Sequence, residues 1–348
     1  MSVHLLDAMA REGFEQVSAV YDRRSGLRAF VAVHDTVRGP AFGGIRRREY
    51  RDEREALFDC LRLARAMTHK AALLELPAGG GKIVLMDDDT VDWEDAYRHV
   101  GRVVDGFGGT FYTGPDANTG PIELGHVAEG TRFVTDPGDE GPGELAEATA
   151  EGVFMGMAAG LRARHGETEW PSRRVVIQGL GAVGEGLVRR VVEQGAEVVG
   201  ADVDEARAHA VKERFDIELI DPARAVEEPC DVLSPNAFGG LFHDLTLGKI
   251  RCGVIAGGAN NQLARPLAGD VLYEMGVVYV PDFVINAGAL VRGTIFHLEG
   301  RREPVEAIGL RIGAAAERVL RTAEREDDAP ARVAVRLAEA RIAEWRRK

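Results

Sequence analysis

Apolar and polar positions alternate with a period of two over residues 16–35, β-branched residues recur there, and Ser25-Gly26 interrupts them. A hairpin with strands at 16–21 and 27–35 is predicted. Farther along, the period lengthens. Asp52, with Glu55 three residues later, marks a helix start, and Leu57, Leu61, Ala64 and Met67 then recur at helical spacing. That helix delivers Lys70 at or just past its end. Residues 81–87 form a short apolar run expected as a strand, 93–107 a helix, and 110–113 a strand running into the turn-forming cluster Gly114-Pro115-Asp116-Ala117-Asn118-Thr119-Gly120-Pro121.

From about Thr149 the pattern becomes alternating helix and strand. Helix is expected at 153–164 and 183–194, and strand at 174–178 and 197–202, with further apolar runs at 232–233, 254–255 and 277–280. Continuous apolar strands separated by helices predict a parallel, doubly wound sheet. The tail, 304–348, reads as helical throughout, with Ile308, Leu310, Ile312, Val319, Leu320, Val333 and Leu337 available for packing.

Composition narrows the field. A chain of 348 residues is long for one core, so about two domains are expected. A formal charge of -13 argues against a nucleic-acid or anionic-membrane partner and favours small ligands. Cys60, Cys230 and Cys252 show neither metal-type spacing nor a disulfide framework, and no metal is expected. The first residues include Asp7, Arg11 and Glu12 and carry neither a signal-peptide core nor a membrane span, so a cytoplasmic location is expected.

Two motifs bear on chemistry. Gly179-Leu180-Gly181-Ala182-Val183-Gly184 follows a predicted strand, opens a predicted helix and precedes a strand ending in Asp202. This is the context in which such glycines let a pyrophosphate approach backbone amides at a helix N-terminus. Asp202 would accept hydrogen bonds from ribose hydroxyls and repel a 2'-phosphate, favouring NAD; Asp204 leaves open which carboxylate points inward. The second motif is a pair of lysines in a chain that holds only five, Lys70, Lys82, Lys212, Lys249 and Lys348. Lys70 and Lys82 share an apolar, glycine-rich stretch, where one ammonium crowded by the other is expected to lose its proton near neutral pH and act as a base. Asp116, by itself, reads as a turn residue.

Taken together, Gly39-Pro40-Ala41-Phe42-Gly43-Gly44, Met67-Thr68-His69-Lys70, Leu76 to Lys82, Thr113-Gly114-Pro115-Asp116, Thr149-Ala150-Glu151-Gly152-Val153, Ala256 to Leu263 and Pro281 to Gly288 resemble the amino-acid dehydrogenases that act on leucine, phenylalanine, valine and glutamate. The leucine, phenylalanine and valine branch is the nearer one. The resemblance implies an α/β fold in which an N-terminal substrate and oligomerisation domain, 1–140, receives the C-terminal helix, 326–348, and a Rossmann-type NAD-binding domain spans 141–325. It implies that Lys70 holds the substrate carboxylate with help from Gly43 and Gly44, that Lys82 is the base activating water, and that Asp116 relays protons. Phe42, Met67, Leu290 and Gly293 would line the side-chain pocket, and Asn261 would approach the amine. Thr149, Asn236, Asn260 and Asn286 would join Gly179, Gly181, Ala182, Val183, Gly184 and Asp202 at NAD.

The implied activity is reversible, NAD-dependent oxidative deamination of a branched-chain or aromatic L-amino acid by a homo-oligomer. The glutamate enzymes place a lysine where this chain has Phe42, and a buried, unpaired carboxylate there would be prohibitive. Two departures bear on the substrate: Arg292 stands where a neutral polar residue is expected, and Pro115-Asp116-Ala117-Asn118 looks closer to the glutamate branch. A glutamate-type enzyme and a non-catalytic NAD and amino-acid binder are the alternatives. A 2-hydroxy-acid dehydrogenase would want a His base beside an Arg, and His69, His126, His243 and His297 offer no such arrangement.

Overall fold

The computed structural model describes residues 5–135, 141–237 and 239–347; the domain boundary expected at 140 and Lys348 lie outside them. The chain forms two compact units. The first comprises Met1–Gly143, Gly293–Arg302 and Arg341–Lys348, and the second Glu144–Arg292 and Glu303–Ala340.

In the first unit, helix α1 (Leu5–Glu12) precedes the hairpin β1 (Gln16–Tyr21) and β2 (Arg28–Asp35), then β3 (Ala41–Phe42), β4 (Ile45–Arg48), α2 (Glu53–Leu73), β5 (Gly79–Met86), α3 (Trp93–Asp105), β6 (Phe111–Tyr112) and α4 (Pro121–Ala128). The strands run β1-β2-β5-β3-β6, with β4 also paired to β5. β1, β2 and β5 are antiparallel neighbours, whereas β3 and β4 lie parallel along successive stretches of one edge of β5. All eight residues of β5 are buried, because helices cover both faces. Val31, Val33, Ile83 and Leu85 pack with Tyr97, Val100, Leu124 and Val127 from α3 and α4. Ala32, Val84 and Met86 pack with Leu57, Cys60, Leu61 and Ala64 from α2. Lys82 belongs to the second set by the strand period of two, so it points to the α2 side.

The start of α2 is the one expected: Asp52 caps it by accepting from the Glu55 amide at 2.8 Å. Arg346 reaches back to Asp35, whose carboxylate is 2% exposed, at 2.6 Å.

The second unit is built on six parallel strands. After α5 (Leu145–His165) come β7 (Arg174–Gln178), α6 (Ala182–Glu193), β8 (Glu197–Ala201), α7 (Glu205–Phe215), β9 (Glu218–Leu219), β10 (Cys230–Pro235), α8 (Asp244–Leu247), β11 (Cys252–Ile255), α9 (Leu267–Glu274), β12 (Val278–Tyr279), α10 (Asp282–Ile285), α11 (Gly288–Glu299), α12 (Val305–Glu326) and α13 (Pro330–Arg347). The order β12-β11-β10-β7-β8-β9 is the doubly wound arrangement, reversing direction between β7 and β10. α5 begins earlier than its apolar pattern indicated. Its interior glycines look like breakers, yet a Cβ at Gly156 would lie 2.4 Å from Ile285, so they permit close helix packing. The tail is two helices: Asp327 takes a left-handed φ of 51°, and Pro330 opens α13.

Candidate active site

Each lysine of the pair is delivered by a different element. Lys70 lies in the last turn of α2 and is 8% exposed; Lys82 lies in the middle of β5 and is 5% exposed. Gly79, Gly80 and Gly81 precede Lys82 because the chain is crowded there. A Cβ on Gly79 would lie 1.6 Å from the Asp35 carbonyl, and one on Gly80 2.2 Å from the Thr68 amide. Gly43 is equally constrained, with a Cβ 1.7 Å from the Gly81 carbonyl. It sits where the edge of β5 passes from β3 to β4, and its own carbonyl accepts from Thr113 Oγ1 at 3.0 Å.

Crowding of Lys82 by Lys70 was the expected source of its reactivity. What the Lys82 ammonium touches is the Asp116 carboxylate, with which it forms a largely buried ion pair. Asp116 follows β6 in the turn closed by the Thr119 amide on its carbonyl at 3.0 Å. Its Oδ2 also accepts from Arg46 Nε at 3.2 Å, and its Oδ1 from Arg46 Nη2 at 3.4 Å and the Ala117 amide at 2.7 Å. Burial opposes ionisation of Asp116, but the Lys82 and Arg46 cations outweigh it and hold the carboxyl well below the usual carboxylate range.

Arg46 was not singled out from the sequence. Its Nη1 donates to Asp59 Oδ2 at 3.3 Å, and Asp59 in turn accepts from Tyr50 Oη at 2.8 Å and Arg62 Nη2 at 2.6 Å. Burial works against the Asp59 carboxylate, and Arg62, Arg46 and Tyr50 more than compensate.

Beside this cluster lies an aromatic group. Phe42 and Tyr112 pair in register across β3 and β6, and their rings stack at 4.9 Å with an interplanar angle of 7°. His297 lies 5.0 Å from the Tyr112 ring and 6.1 Å from that of Phe42, and its Nε2 is 3.2 Å from Thr135 Oγ1. Burial lowers the imidazole pKa. A Cβ on Gly293 would face the same Thr135 hydroxyl at 3.9 Å. Nothing local in the sequence marks His297, because its neighbours come from segments far apart in the chain. Met67 is half-buried in α2. Asn261 and Leu290, also expected at the substrate, belong to the second unit, where Asn261 has a left-handed φ of 55° and Leu290 is buried.

The expected cofactor residues other than Thr149 lie beyond the carboxyl ends of the parallel strands. Gly179 to Gly184 link β7 to α6, and a Cβ on Gly184 would lie 1.9 Å from the Gly179 carbonyl, so that glycine seats the helix on the loop. A Cβ on Gly181 would meet nothing within 4 Å, and no side chain caps α6, which leaves its first amides, at Ala182 and Val183, for a ligand. Asp202 follows β8; its Oδ2 accepts from the Leu180 amide at 2.7 Å and its Oδ1 from the Asp204 amide at 2.8 Å. Asp204 caps α7 instead, so Asp202 is the carboxylate turned to the glycine loop. Arg207 reaches both carboxylates, at 3.3 and 3.0 Å.

Asn236, after β10, accepts from the Gly258 amide at 2.7 Å, and Asn286 donates to Asn260 Oδ1 at 2.9 Å and to the Gly258 carbonyl at 3.1 Å. Asn286 Oδ1 is buried without a partner. Thr149 donates from Oγ1 to the Leu145 carbonyl at 3.0 Å within α5. An uncapped helix start, an open glycine cradle and an orphaned amide oxygen are what a dinucleotide with a carboxamide would satisfy.

Known proteins resemble this chain over most of its length. The family described as Glu/Leu/Phe/Val dehydrogenase, dimerisation domain, matches residues 14–133. The chain is 37% identical to leucine dehydrogenase of Geobacillus stearothermophilus, over 99% of this chain and 95% of that one. It is 40% identical to phenylalanine dehydrogenase of Thermoactinomyces intermedius, over 86% of this chain and 83% of that one. The crystal structure of L-tryptophan dehydrogenase from Nostoc punctiforme superposes with a TM-score of 0.84 at 33% identity, covering 98% of this chain and all of the other. The chain is therefore an oxidoreductase of the Glu/Leu/Phe/Val amino-acid dehydrogenase family.

Proposed function

We propose that the protein catalyses the reversible, NAD-dependent oxidative deamination of an apolar L-amino acid to the 2-oxo acid and ammonia. The observation that carries this reading is the largely buried Lys82–Asp116 pair at the glycine-rich start of the central strand β5, whose neighbour β3 carries Phe42 stacked on Tyr112. When bound, NAD supplies the hydride acceptor that oxidises the substrate's carbon–nitrogen bond. Ala182 and Val183 amides, freed by Gly181, would hold its pyrophosphate, Asp202 its adenosine ribose, and Thr149, Asn236, Asn260 and Asn286 its nicotinamide end.

Lys70 pairs with the substrate carboxylate, assisted by the backbone at Gly43 and Gly44. Lys82, as the free amine, takes a proton from the water that adds to the oxidised α-carbon, and the resulting carbinolamine expels ammonia. Asp116 holds Lys82 in position, and Asn261 meets the amine. Phe42, Met67, Leu290 and Gly293 receive the side chain. A glutamate carboxylate set against the Phe42 ring would lose its hydration without gaining a cation, at a cost of several kcal/mol. A homo-oligomer working in the cytoplasm, as the family resemblance implies, belongs to the same reading.

Purified protein mixed with NAD and, separately, leucine, valine, phenylalanine, tryptophan or glutamate tests this by absorbance of NADH. Turnover is expected with apolar substrates and not with glutamate. Absence of NADH with all five would favour a binding protein.

A further inference from the structure

Every catalytic cycle that uses Lys82 as a base, as proposed above, faces an electrostatic difficulty. The ammonium is paired with a largely buried carboxylate, and when it gives up its proton that carboxylate loses one of its partners. A buried charge left alone costs several kcal/mol, so the pair by itself resists deprotonation. The structure holds a third charge at this point. Arg46 donates through Nε to the same oxygen of Asp116 that Lys82 touches, and through Nη2 to the other oxygen. With the Ala117 amide, these donors keep Asp116 bonded whether Lys82 is ammonium or amine.

We infer that Arg46 is a positioning residue of the reaction: it is the second cation of the site, keeping Asp116 a paired carboxylate while Lys82 cycles between its charged and neutral forms. Two cations converge on one oxygen, and the guanidinium never releases its own proton, so Lys82 is the member of the pair that does. Asp116 then works as an orienting acceptor, since four donors already occupy its lone pairs and a proton would have to displace one of them.

The strength of the arginine's influence is set by Asp59. That carboxylate takes Arg46 Nη1, along with Tyr50 Oη and Arg62, and so draws the positive charge partly away from Asp116. Among the described residues, the charged and titratable groups of this network are Asp116 from the turn after β6, Arg46 from β4, Tyr50 beyond it, and Asp59, Cys60 and Arg62 from α2, the helix that Lys70 ends. The Cys60 thiol donates to the Lys82 carbonyl and is pushed up to about 12 by burial, so it stays neutral through the working range.

Opposite charge changes on the two sides of this network give opposite results. The rate of amino-acid oxidation, as kcat/KM against pH, rises as the base becomes neutral. Arg46→Gln removes a cation and is expected to move that rising limb to higher pH by about one unit. Asp59→Asn removes an anion, strengthens the hold of Arg46 on Asp116, and is expected to move it to lower pH. A residue that only braced the fold would lower the rate evenly without displacing the limb. Limbs that stay in place, or that move in the same direction in both variants, overturn the inference; should Arg46→Gln not fold, the direction found for Asp59→Asn decides alone. This inference rests on the dehydrogenase reading, and the two fail differently: an inactive wild type refutes the reading, whereas an active wild type with unmoved limbs refutes only the role of Arg46.

Discussion

Lys82 loses less of its surroundings on mutation than its burial implies. Truncating one partner of a buried ion pair ordinarily costs about 3–5 kcal/mol, because the other charge is stranded. Here Arg46 and the Ala117 amide remain on Asp116. Lys82→Ala is therefore expected to fold and to keep its dinucleotide affinity, which the proposed function assigns to residues of the other unit, while kcat falls by about 10²- to 10⁴-fold. Retention of the wild-type rate would end the assignment of Lys82 as the base. At this scale the lysines were legible because lysine is rare in the chain and both fall among glycines and apolar residues. Arg46 was not, since it opens the run Arg46-Arg47-Arg48 in an arginine-rich chain and nothing local separates it from solvated charge. Its partners, Asp116 in a turn and Asp59 on α2, come to it only through the fold that pairs β4 with β5.

The elements divide in the same way. β1, β2 and β5 announce themselves by alternation or by a continuous apolar run, and they are long enough for that pattern to show. β3 has two residues and β4 reads Ile-Arg-Arg-Arg, so their strand character comes from the edge of β5 and not from their own side chains. The break between them is among the tightest backbone approaches in the first unit. Gly43→Ala would place a methyl 1.7 Å from the Gly81 carbonyl, and neither backbone can yield without separating β3 from β5. Overpacking of side chains costs about 1–3 kcal/mol, and a clash with backbone exceeds that. The expected outcome is a lower melting temperature together with loss of activity; an unchanged melt would show that this edge relaxes easily. The tail illustrates the converse error, where helical periodicity carried through Asp327 because a left-handed residue leaves no hydrophobic signature.

Across the whole molecule, stability depends on pH through side chains that are buried neutral. Burial lowers the pKa of His34 and brings that of His69 down to about 3. The folded chain then binds fewer protons than the unfolded chain, whose histidines titrate near 6.5, so stability is full above that pH and declines as pH falls below it. Asp59 and Asp116, depressed by the cations beside them, add a further loss below about pH 4. Thermal melts between pH 8 and 4 are expected to show the decline beginning near 6.5, and His69→Gln should flatten it; a variant curve parallel to that of the wild type would remove histidine as the cause.

The covalent path of the first unit leaves and re-enters it twice, at Gly293–Arg302 and at Arg341–Lys348. A gene shortened to its opening 143 codons would thus encode an incomplete object. Tyr112 and Phe42 would lose the imidazole of His297, and Asp35, sealed from solvent at 2% exposure, would keep its negative charge with no guanidinium from Arg346 to answer it. The first unit is thus assembled from three separate stretches of the chain, and its folding waits on segments that lie about 150 and 200 residues beyond its opening stretch.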